Sequence, residues 1–277
     1  MPSAVWLLAA ILCGPVTWAA EPKKSTAPSY SAASIVNSAT NVPGPLAPNM
    51  IATIYGKDLS YVTRAIGPDD VRGNVLPTAL IGTGVRVFVA GLAAVIYYAS
   101  PSQINFVVPS NLKAGPATVQ LARDGLSGPE VDVTLVDSAP GFFQLDAVTV
   151  VAAFPDGSVV TKEKPAQGGQ VIVLYAGGMG QTNPKTDYGV VPTIPAVISR
   201  IADLEVSLDG IPVDRLLIFY AGITPGFAGL YQVNLILPAN APPDPEIRVR
   251  IGNQSSPAGI HVPIRPIPTQ PASMLTR

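Results

Sequence analysis

The chain has 277 residues, of which 48% are hydrophobic and 13% charged, so it can build packed cores and is not a disordered polymer. The formal net charge is -1, and the 17 Lys and Arg residues are scattered along the chain. The chain therefore has no basic surface for a phosphate backbone, and nucleic acid is not the expected partner. Thirty Pro and 25 Gly residues punctuate it, which disfavours long helices and predicts an all-β fold.

The N-terminus has the features of an export signal. Residues 4–11 form an apolar run that is too short to span a bilayer but is typical of a secretory peptide. Thr17 and Ala19 provide the small-x-small pattern of signal peptidase, so a signal peptide is predicted at 1–19. The protein is therefore expected to be secreted, periplasmic or on the cell surface.

Export would also change the chemistry of the mature chain. Cys13 is the single cysteine, and its lipidation is disfavoured because Leu12 stands where a small residue is expected. Signal cleavage would remove Cys13, so disulfides are not expected and stability must come from the cores. No later apolar stretch reaches membrane-spanning length, so no transmembrane anchor is expected after cleavage.

The predicted elements then follow in chain order. Residues 20–33 are rich in Lys, Pro and Ser and are interpreted as a flexible lead. Runs rich in β-branched and aromatic residues, separated by Gly, Pro, Asn or Asp, predict strands of a β-sandwich. These strands are Met50 to Tyr55, Val85 to Val89, Ala94 to Tyr98, Ile104 to Val108, Ala117 to Leu121 and Val131 to Val136.

The same order of segments recurs in the second half of the chain. The matching pairs are Ile51 to Gly56 with Val171 to Ala176, Val85 to Gly91 with Leu204 to Gly210, and Gln103 to Pro109 with Gln232 to Pro238. The repeat predicts two tandem β-sandwich domains, at 34–138 and 139–265, the second ending in a strand over Gly259 to Ile264. The Pro-rich end of the chain, 266–277, is expected to be a loose tail.

The second repeat carries extra residues, Gly222 to Leu230, before its Gln-x-Asn segment. An insertion between strands is expected to protrude, and protruding loops are common binding sites. The candidate interaction residues are Gly222, Ile223, Thr224, Pro225, Gly226, Phe227, Gly229 and Tyr231.

Two amide pairs are the most distinctive polar residues. Gln103 and Asn105 interrupt one apolar strand, and Gln232 and Asn234 interrupt its counterpart. Alternation places both amides of a pair on the same side of the strand. They are interpreted as a structural motif whose amides bond backbone groups in adjoining loops, with a ligand site as the alternative.

Several segments resemble an uncharacterised C-terminal domain family of exported Acidobacteria proteins, especially those of Solibacter. The segments that carry the resemblance are Ser100 to Pro109, Ala139 to Phe143, Asp156 to Ser158, Tyr175 to Thr182, Tyr220 to Gly226 and Gly229 to Asn234. The sequence departs from the family pattern at Asn49, where glycine usually follows the proline. The resemblance implies IPT/TIG-like immunoglobulin-type repeats and an exported location, and it implies no established activity.

Residues that could carry chemistry have simpler structural interpretations. The single histidine, His261, has no Gly-x-Ser-x-Gly motif to accompany it, so a catalytic triad is not expected. Asp69-Asp70 and Asp156-Gly157 are conceivable calcium ligands, but neither forms an Asp-x-Asp-x-Asp-Gly loop, and the second is a typical turn pair. Gly177 to Gly180 precedes no helix that could bind phosphate. No cofactor and no catalytic residue are predicted.

The leading hypothesis for function is a non-catalytic interaction or structural module that binds an envelope or extracellular protein. The alternative is a carbohydrate-binding protein, since β-sandwiches often have that role. Signal cleavage would remove Trp6 and Trp18, the two tryptophans of the sequence, so sugar stacking would depend on tyrosines, for which Tyr61, Tyr97, Tyr188 and Tyr231 are candidates.

Overall fold

A computed structural model describes residues 26–265; the predicted signal peptide at 1–19, the first part of the predicted lead at 20–25 and the predicted tail at 266–277 lie outside them. Among the described residues there are four short 3-10 helices, at Ala32–Ser34, Pro68–Asp70, Ile201–Asp203 and Arg215–Leu217, and no α-helix. None of the helices in this range has the length and apolar character needed to cross a membrane.

The first lobe contains eleven strands. They are β1 Ile35–Asn37, β2 Val42–Pro43, β3 Ile51–Tyr55, β4 Arg64–Ala65, β5 Val85–Val89, β6 Leu92–Ala93, β7 Val95–Ala99, β8 Gln103–Val107, β9 Gly115–Arg123, β10 Leu126–Ser127 and β11 Val131–Leu135. All six strands predicted for this half are present, with ends shifted by at most a few residues.

The second lobe contains thirteen strands. They are β12 Gly141–Phe142, β13 Ala152–Ala153, β14 Ala166–Gln167, β15 Val171–Gly177, β16 Thr182–Asn183, β17 Ala196–Ile198, β18 Leu204–Leu208, β19 Ile211–Pro212, β20 Ile218–Ile223, β21 Tyr231–Ile236, β22 Ile247–Ile251, β23 Gln254–Ser255 and β24 Ile264–Arg265.

Both lobes arrange their strands in the same order. One sheet of the first lobe has the order β2-β1-β3-β8-β7-β4, in which β1-β3-β8-β7-β4 corresponds to β12-β15-β21-β20-β17 of the second-lobe sheet β12-β15-β21-β20-β17-β16. The opposing sheets have the orders β10-β9-β5-β6 and β23-β22-β18-β19. The long pairings are antiparallel, so the prediction of an all-β chain with two tandem immunoglobulin-like β-sandwiches is confirmed.

Each lobe has a core of its own between its two sheets. In the first lobe, Ile104 and Phe106 from one sheet meet Val87 and Leu121 from the other, and all four are fully buried. Alternate residues of β5, β18 and β22 are buried, as expected for strands with one face on a core. The second core is formed in the same way by residues between Phe142 and Ile264.

Two expectations from the sequence need correction. The flexible lead does not extend over residues 26–33, because Ser29 pairs with Lys57 and the buried Tyr30 hydroxyl donates to the Pro129 carbonyl at 2.6 Å. The predicted strand at Gly259 to Ile264 is not continuous. It is divided into single bridges at His261 and the two-residue strand β24, because three separate segments pair with it in turn.

Candidate functional site

The two ends of the predicted interaction loop do not protrude. Gly222 and Ile223 belong to β20, and Tyr231 begins β21 with a fully buried side chain. Thr224 is also buried, and its backbone N–H donates to the Leu230 carbonyl at 2.8 Å, which closes the turn. The expectation was wrong because the ends of the insertion extend the two strands instead of leaving them.

The tip of this segment, residues 225–229, contacts the first lobe. The Tyr97 hydroxyl donates to the Ala228 carbonyl at 2.8 Å. At Gly229, where φ is +79°, a methyl group would lie 2.8 Å from Ile51 Cγ1, so only glycine allows this approach. Phe227 keeps 59% of its surface exposed. Most of the predicted interaction residues therefore have an intramolecular role.

A second loop of the second lobe, residues 181–194, also contacts the first lobe. Asn49 donates through Nδ2 to Thr186 Oγ1 at 3.1 Å, and the Leu76 N–H donates to the Gly189 carbonyl at 2.8 Å. Asn49 has φ of +61°, so the departure from glycine at this position is compatible with its left-handed backbone. The two loops, residues 181–194 and 225–229, together join the lobes.

An apolar cleft of about 490 Å³ opens beside these contacts. Its walls come from both lobes and include Ile51, Leu76, Tyr97, Phe143, Val191 and Phe227. Leu76 also packs with Val95 and Val107 in a small cluster that Tyr188 and Ala228 cover from the second lobe. The cleft is thus formed by many of the side chains that hold the lobes together.

Two tyrosines at the lobe junction should make the stability of the protein sensitive to alkaline pH. Burial raises the pKa of Tyr97 to about 12, and burial likewise raises the pKa of Tyr188, whose hydroxyl donates to the Ala93 carbonyl, to about 12. An unfolded tyrosine has a pKa near 10. Between pH 10 and 12 the folded chain keeps protons that the unfolded chain has lost, so the free energy of unfolding should fall as pH rises through this window.

Urea unfolding of the wild type and of the Tyr97→Phe/Tyr188→Phe variant, each at pH 9 and pH 11.5, measures this effect. The variant should be less stable at pH 9, because it lacks two hydrogen bonds worth about 1 kcal/mol each. It should lose less further stability on going to pH 11.5 than the wild type does. An equal alkaline loss in the two proteins would contradict the assignment.

The amide pairs lie on the outer face of each lobe, meaning the side of the sheet turned away from the core. Gln103 Nε2 donates to Asn105 Oδ1 at 2.9 Å, and Gln232 Nε2 donates to Asn234 Oδ1 at 3.0 Å. The predicted placement on one side of the strand is confirmed. The predicted partners are wrong, since the amides bond each other instead of loop backbone. Residues two apart on a strand share a face, which brings their side chains within reach.

A tyrosine flanks each end of each amide pair. In the first lobe Tyr55 is opposite Gln103 and Tyr98 is opposite Asn105. In the second lobe the corresponding tyrosines have the same cross-strand partners: Tyr175 is opposite Gln232, and Tyr220 is opposite Asn234. A bulge precedes the second tyrosine in both lobes, between Ile96 and Tyr98 and between Ile218 and Tyr220.

We call the four side chains of each lobe its tyrosine–amide face. The first consists of Tyr55, Tyr98, Gln103 and Asn105, and the second of Tyr175, Tyr220, Gln232 and Asn234. Sequence reasoning found the amides but missed the tyrosines. Aligning the repeats would have revealed Tyr55 and Tyr175, whereas Tyr98 and Tyr220 are placed by bulges that sequence patterns do not show.

The two faces differ beneath the amides. In the first lobe Thr53 Oγ1 donates to Asn105 Oδ1 at 3.1 Å and also hydrogen bonds with the Ser38 hydroxyl at 2.7 Å. Val173 occupies the position of Thr53 in the second lobe, opposite Asn234. Because valine has no donor, the second amide pair has fewer internal partners and more capacity for an external one.

The ring of Tyr220 is held in place. Its hydroxyl donates to the Ile223 carbonyl at 2.6 Å, and a methyl group at Gly222 would lie 2.6 Å from this hydroxyl. The tyrosine therefore lies across the glycine, close to the sheet. Phe219, in the bulge beside it, is 57% exposed. The second tyrosine–amide face thus has a fixed aromatic ring, and the preceding residue in the sequence carries an exposed one.

The candidate reactive residues are held by structural hydrogen bonds. His261 Nδ1 contacts the Asp244 carbonyl oxygen at 2.8 Å. Asp70 is buried and pairs with Arg64 at 3.0 Å, and the Gly67 N–H is the main cause of the lowered pKa of this carboxyl. Asp156 accepts from the Ser158 N–H at 2.9 Å, as in an Asx turn. No cluster of three potential metal ligands occurs in residues 26–265.

The tyrosines named for sugar stacking have other roles. Tyr97 and Tyr188 donate to carbonyls across the lobe junction, and buried Tyr231 donates to the Gly180 carbonyl. Tyr61 is 53% exposed, and the Arg123 guanidinium lies 3.8 Å from its ring centroid. The tyrosine–amide faces present a different set of aromatic rings to solvent.

Comparisons with known proteins give the fold context. The sequence matches no protein-family model and no curated protein. A solved structure similar to it is the surface glycan-binding protein SGBP-B of the Bacteroides ovatus mixed-linkage glucan utilization locus, in complex with a mixed-linkage heptasaccharide. That protein shares 9% identity at a TM-score of 0.33, over 88% of this chain and 47% of that one, so this chain spans less than half its length.

Two further solved structures are similar. Domains 5 and 6 of the S-layer protein SbsC share 10% identity at a TM-score of 0.26, over 86% of this chain and 98% of that one. The tandem Ig repeats of Dlar share 10% identity at a TM-score of 0.23, over 87% and 96%. At these scores the likenesses carry no functional argument, and the fold assignment rests on the strand order described above.

Proposed function

We propose that this protein is an exported, non-catalytic binding module that acts at the cell envelope or outside the cell. The observation that carries the proposal is that the same tyrosine–amide face occurs in both lobes, in the same cross-strand register. The predicted signal peptide supports the exported location. The loops between the lobes are engaged in contacts within the chain, which leaves the sheet faces as the surfaces offered to a partner.

We further propose that the chain belongs to the exported Acidobacteria family that its sequence resembles. Two of the segments that carry the resemblance, Ser100 to Pro109 and Gly229 to Asn234, contain the amide pairs at equivalent positions of the two sandwiches. A motif that recurs at equivalent positions is expected either of a fold determinant or of a duplicated site. We propose the second, because Gln and Asn are partly exposed in both copies.

A retention experiment tests the function. The purified protein, coupled to a support, is incubated with envelope and extracellular material from its native cells, and the retained proteins and polysaccharides are analysed separately. Specific retention that falls in the Tyr98→Ala/Tyr220→Ala variant supports a binding module that works through its sheet faces. A fall in retention only in the Phe227→Ala variant would indicate that the loop at residues 225–229 is the binding site. No retention at all would contradict the proposal.

A further inference from the structure

Resting on the proposed function, we propose that the two tyrosine–amide faces are duplicate binding sites for a neutral polysaccharide. The proposal commits to one class of partner, a polymer of uncharged sugars. It depends on the hydrogen-bonding groups of the faces, on their aromatic rings, on their lack of charge and on their duplication within one chain.

The amides retain hydrogen-bonding capacity. Within residues 26–265, no hydrogen bond uses Oε1 of Gln232 or Nδ2 of Asn234, and the same holds for Gln103 and Asn105. Each pair therefore offers one carbonyl acceptor and amide donors to the solvent. A sugar hydroxyl both donates and accepts, so adjacent hydroxyls of one ring can engage the two amides together.

The aromatic rings complement the apolar side of a sugar. Binding surfaces for small polar ligands combine apolar and aromatic area with a few placed polar groups, and tyrosine supplies such area at low entropic cost. Tyr220 is fixed across Gly222 by its hydroxyl, so the second face is organised before a ligand arrives. Tyr175, which is opposite Gln232, extends the aromatic area on that face.

The chemistry of the faces favours a neutral ligand. All eight side chains of the two faces are tyrosine, glutamine or asparagine, so none carries a charge at neutral pH. A polymer of acidic sugars would need cationic partners to offset the desolvation of its carboxylates. An uncharged sugar needs no cationic partner, and the two faces supply the donors, acceptors and aromatic rings that it requires.

The duplication favours a polymer over a free monosaccharide. Two equal sites in one chain can engage a ligand that repeats the same unit, and the second contact then forms at a high effective concentration. A single small sugar gains nothing from the second site. The repeat of the protein thus corresponds to a repeat in its ligand.

Native affinity electrophoresis tests the site directly. The full protein is run through gels that contain one soluble neutral polysaccharide each: a β-1,4-glucan, a mixed-linkage β-glucan, a galactomannan, a xylan or an α-glucan. We expect at least one polymer to retard the wild type. Tyr98→Ala and Tyr220→Ala should each weaken the apparent affinity about tenfold, and the double variant should lose retardation, since bivalent attachment is lost.

Matched variants separate binding from folding. Tyr98→Phe keeps the ring and breaks no hydrogen bond within residues 26–265, so it should keep most of the affinity, while Gln232→Leu removes a hydrogen-bonding group and should not. Asn253→Ala, an exposed amide in a turn of the same lobe, and Phe227→Ala, an exposed ring outside both faces, should bind like the wild type. Far-ultraviolet circular dichroism identifies any variant that fails to fold.

The outcomes distinguish this inference from the proposed function. Retention of envelope material that periodate oxidation abolishes and protease treatment spares supports the polysaccharide. Retention that protease abolishes and periodate spares would overturn the inference and leave the proposed binding module standing. Retardation that is unchanged in the double variant would overturn the assignment of the site, and no retardation by any of the five polymers would overturn the ligand class.

Discussion

Replacing Arg123 by methionine is expected to lower the free energy of unfolding by about 3 kcal/mol, the largest loss we predict for a single side chain of the first lobe. Arg123 is the largest fully buried side chain in the described part of the protein. Its guanidinium donates to the Thr26 carbonyl at 2.6 Å and to the Asp58 carbonyl, and it lies over the ring of Tyr61. Methionine fills much of the same volume but replaces none of these interactions.

Urea unfolding at neutral pH measures the loss, with Arg86→Met as the control. Arg86 lies on the neighbouring strand β5 and is exposed, so its replacement should change stability by less than about 0.5 kcal/mol. A loss of similar size in both variants would mean that general charge, and not the buried hydrogen bonds, is responsible. The Arg123→Met variant should also be cleaved sooner by proteases near residue 26, because that segment loses a bond to β9.

The second large effect is expected at the connection between the lobes. Replacing Gly178 by alanine should lower the free energy of unfolding by about 3 kcal/mol. Gly178 has φ of +69°, and a methyl group there would lie 2.0 Å from the Ala139 carbonyl oxygen. Its own carbonyl accepts from the Ala139 N–H at 2.8 Å, so the backbone cannot move away without losing that bond.

Gly157→Ala is the matched control for this substitution. Gly157 has a similar left-handed backbone, with φ of +81°, but a methyl group there would meet nothing within 4 Å. Its replacement should therefore lower the free energy of unfolding only through strain in the left-handed backbone, by about 1 kcal/mol. Thermal unfolding of the two variants separates the steric contact from backbone strain. Equal losses would show that the contact with Ala139 does not matter.

The strands and the repeat could be predicted because they depend on local pattern. Val85, Val87 and Val89 alternate with less buried residues in β5, and Leu204, Val206 and Leu208 do the same in β18. Period-two alternation with turn glycines after each run is sufficient to locate such strands. The duplicated sandwich followed from matching these runs between the two halves.

The role of the insertion could not be predicted, because it depends on contacts between residues far apart in the sequence. Tyr97 and Ala228 are 131 positions apart, and Asn49 and Thr186 are 137 apart. Nothing local at Gly229 indicates that Ile51 lies close to it. A glycine-rich insertion between strands therefore resembles an exposed loop in the sequence, whether or not another lobe covers it.

The amide motif shows the same limit on a smaller scale. Alternation fixed the side of the strand on which Gln103 and Asn105 lie, but it could not identify Thr53 as a further partner of Asn105. Cross-strand neighbours depend on register, and a bulge shifts register by one residue. Tyr98 and Tyr220 consequently became part of the candidate site only once the strand pairing was known.

The contacts of loops 181–194 and 225–229 with the first lobe have a consequence for the order in which the protein can fold. Ile51, Val95 and Val107 are covered by residues that follow them by more than 70 positions, such as Tyr188 and Ala228. A chain that emerges from its N-terminus completes the first sandwich while this apolar patch still lacks its cover. The first half is thus vulnerable to association until the second half arrives, and only the intact chain shields it.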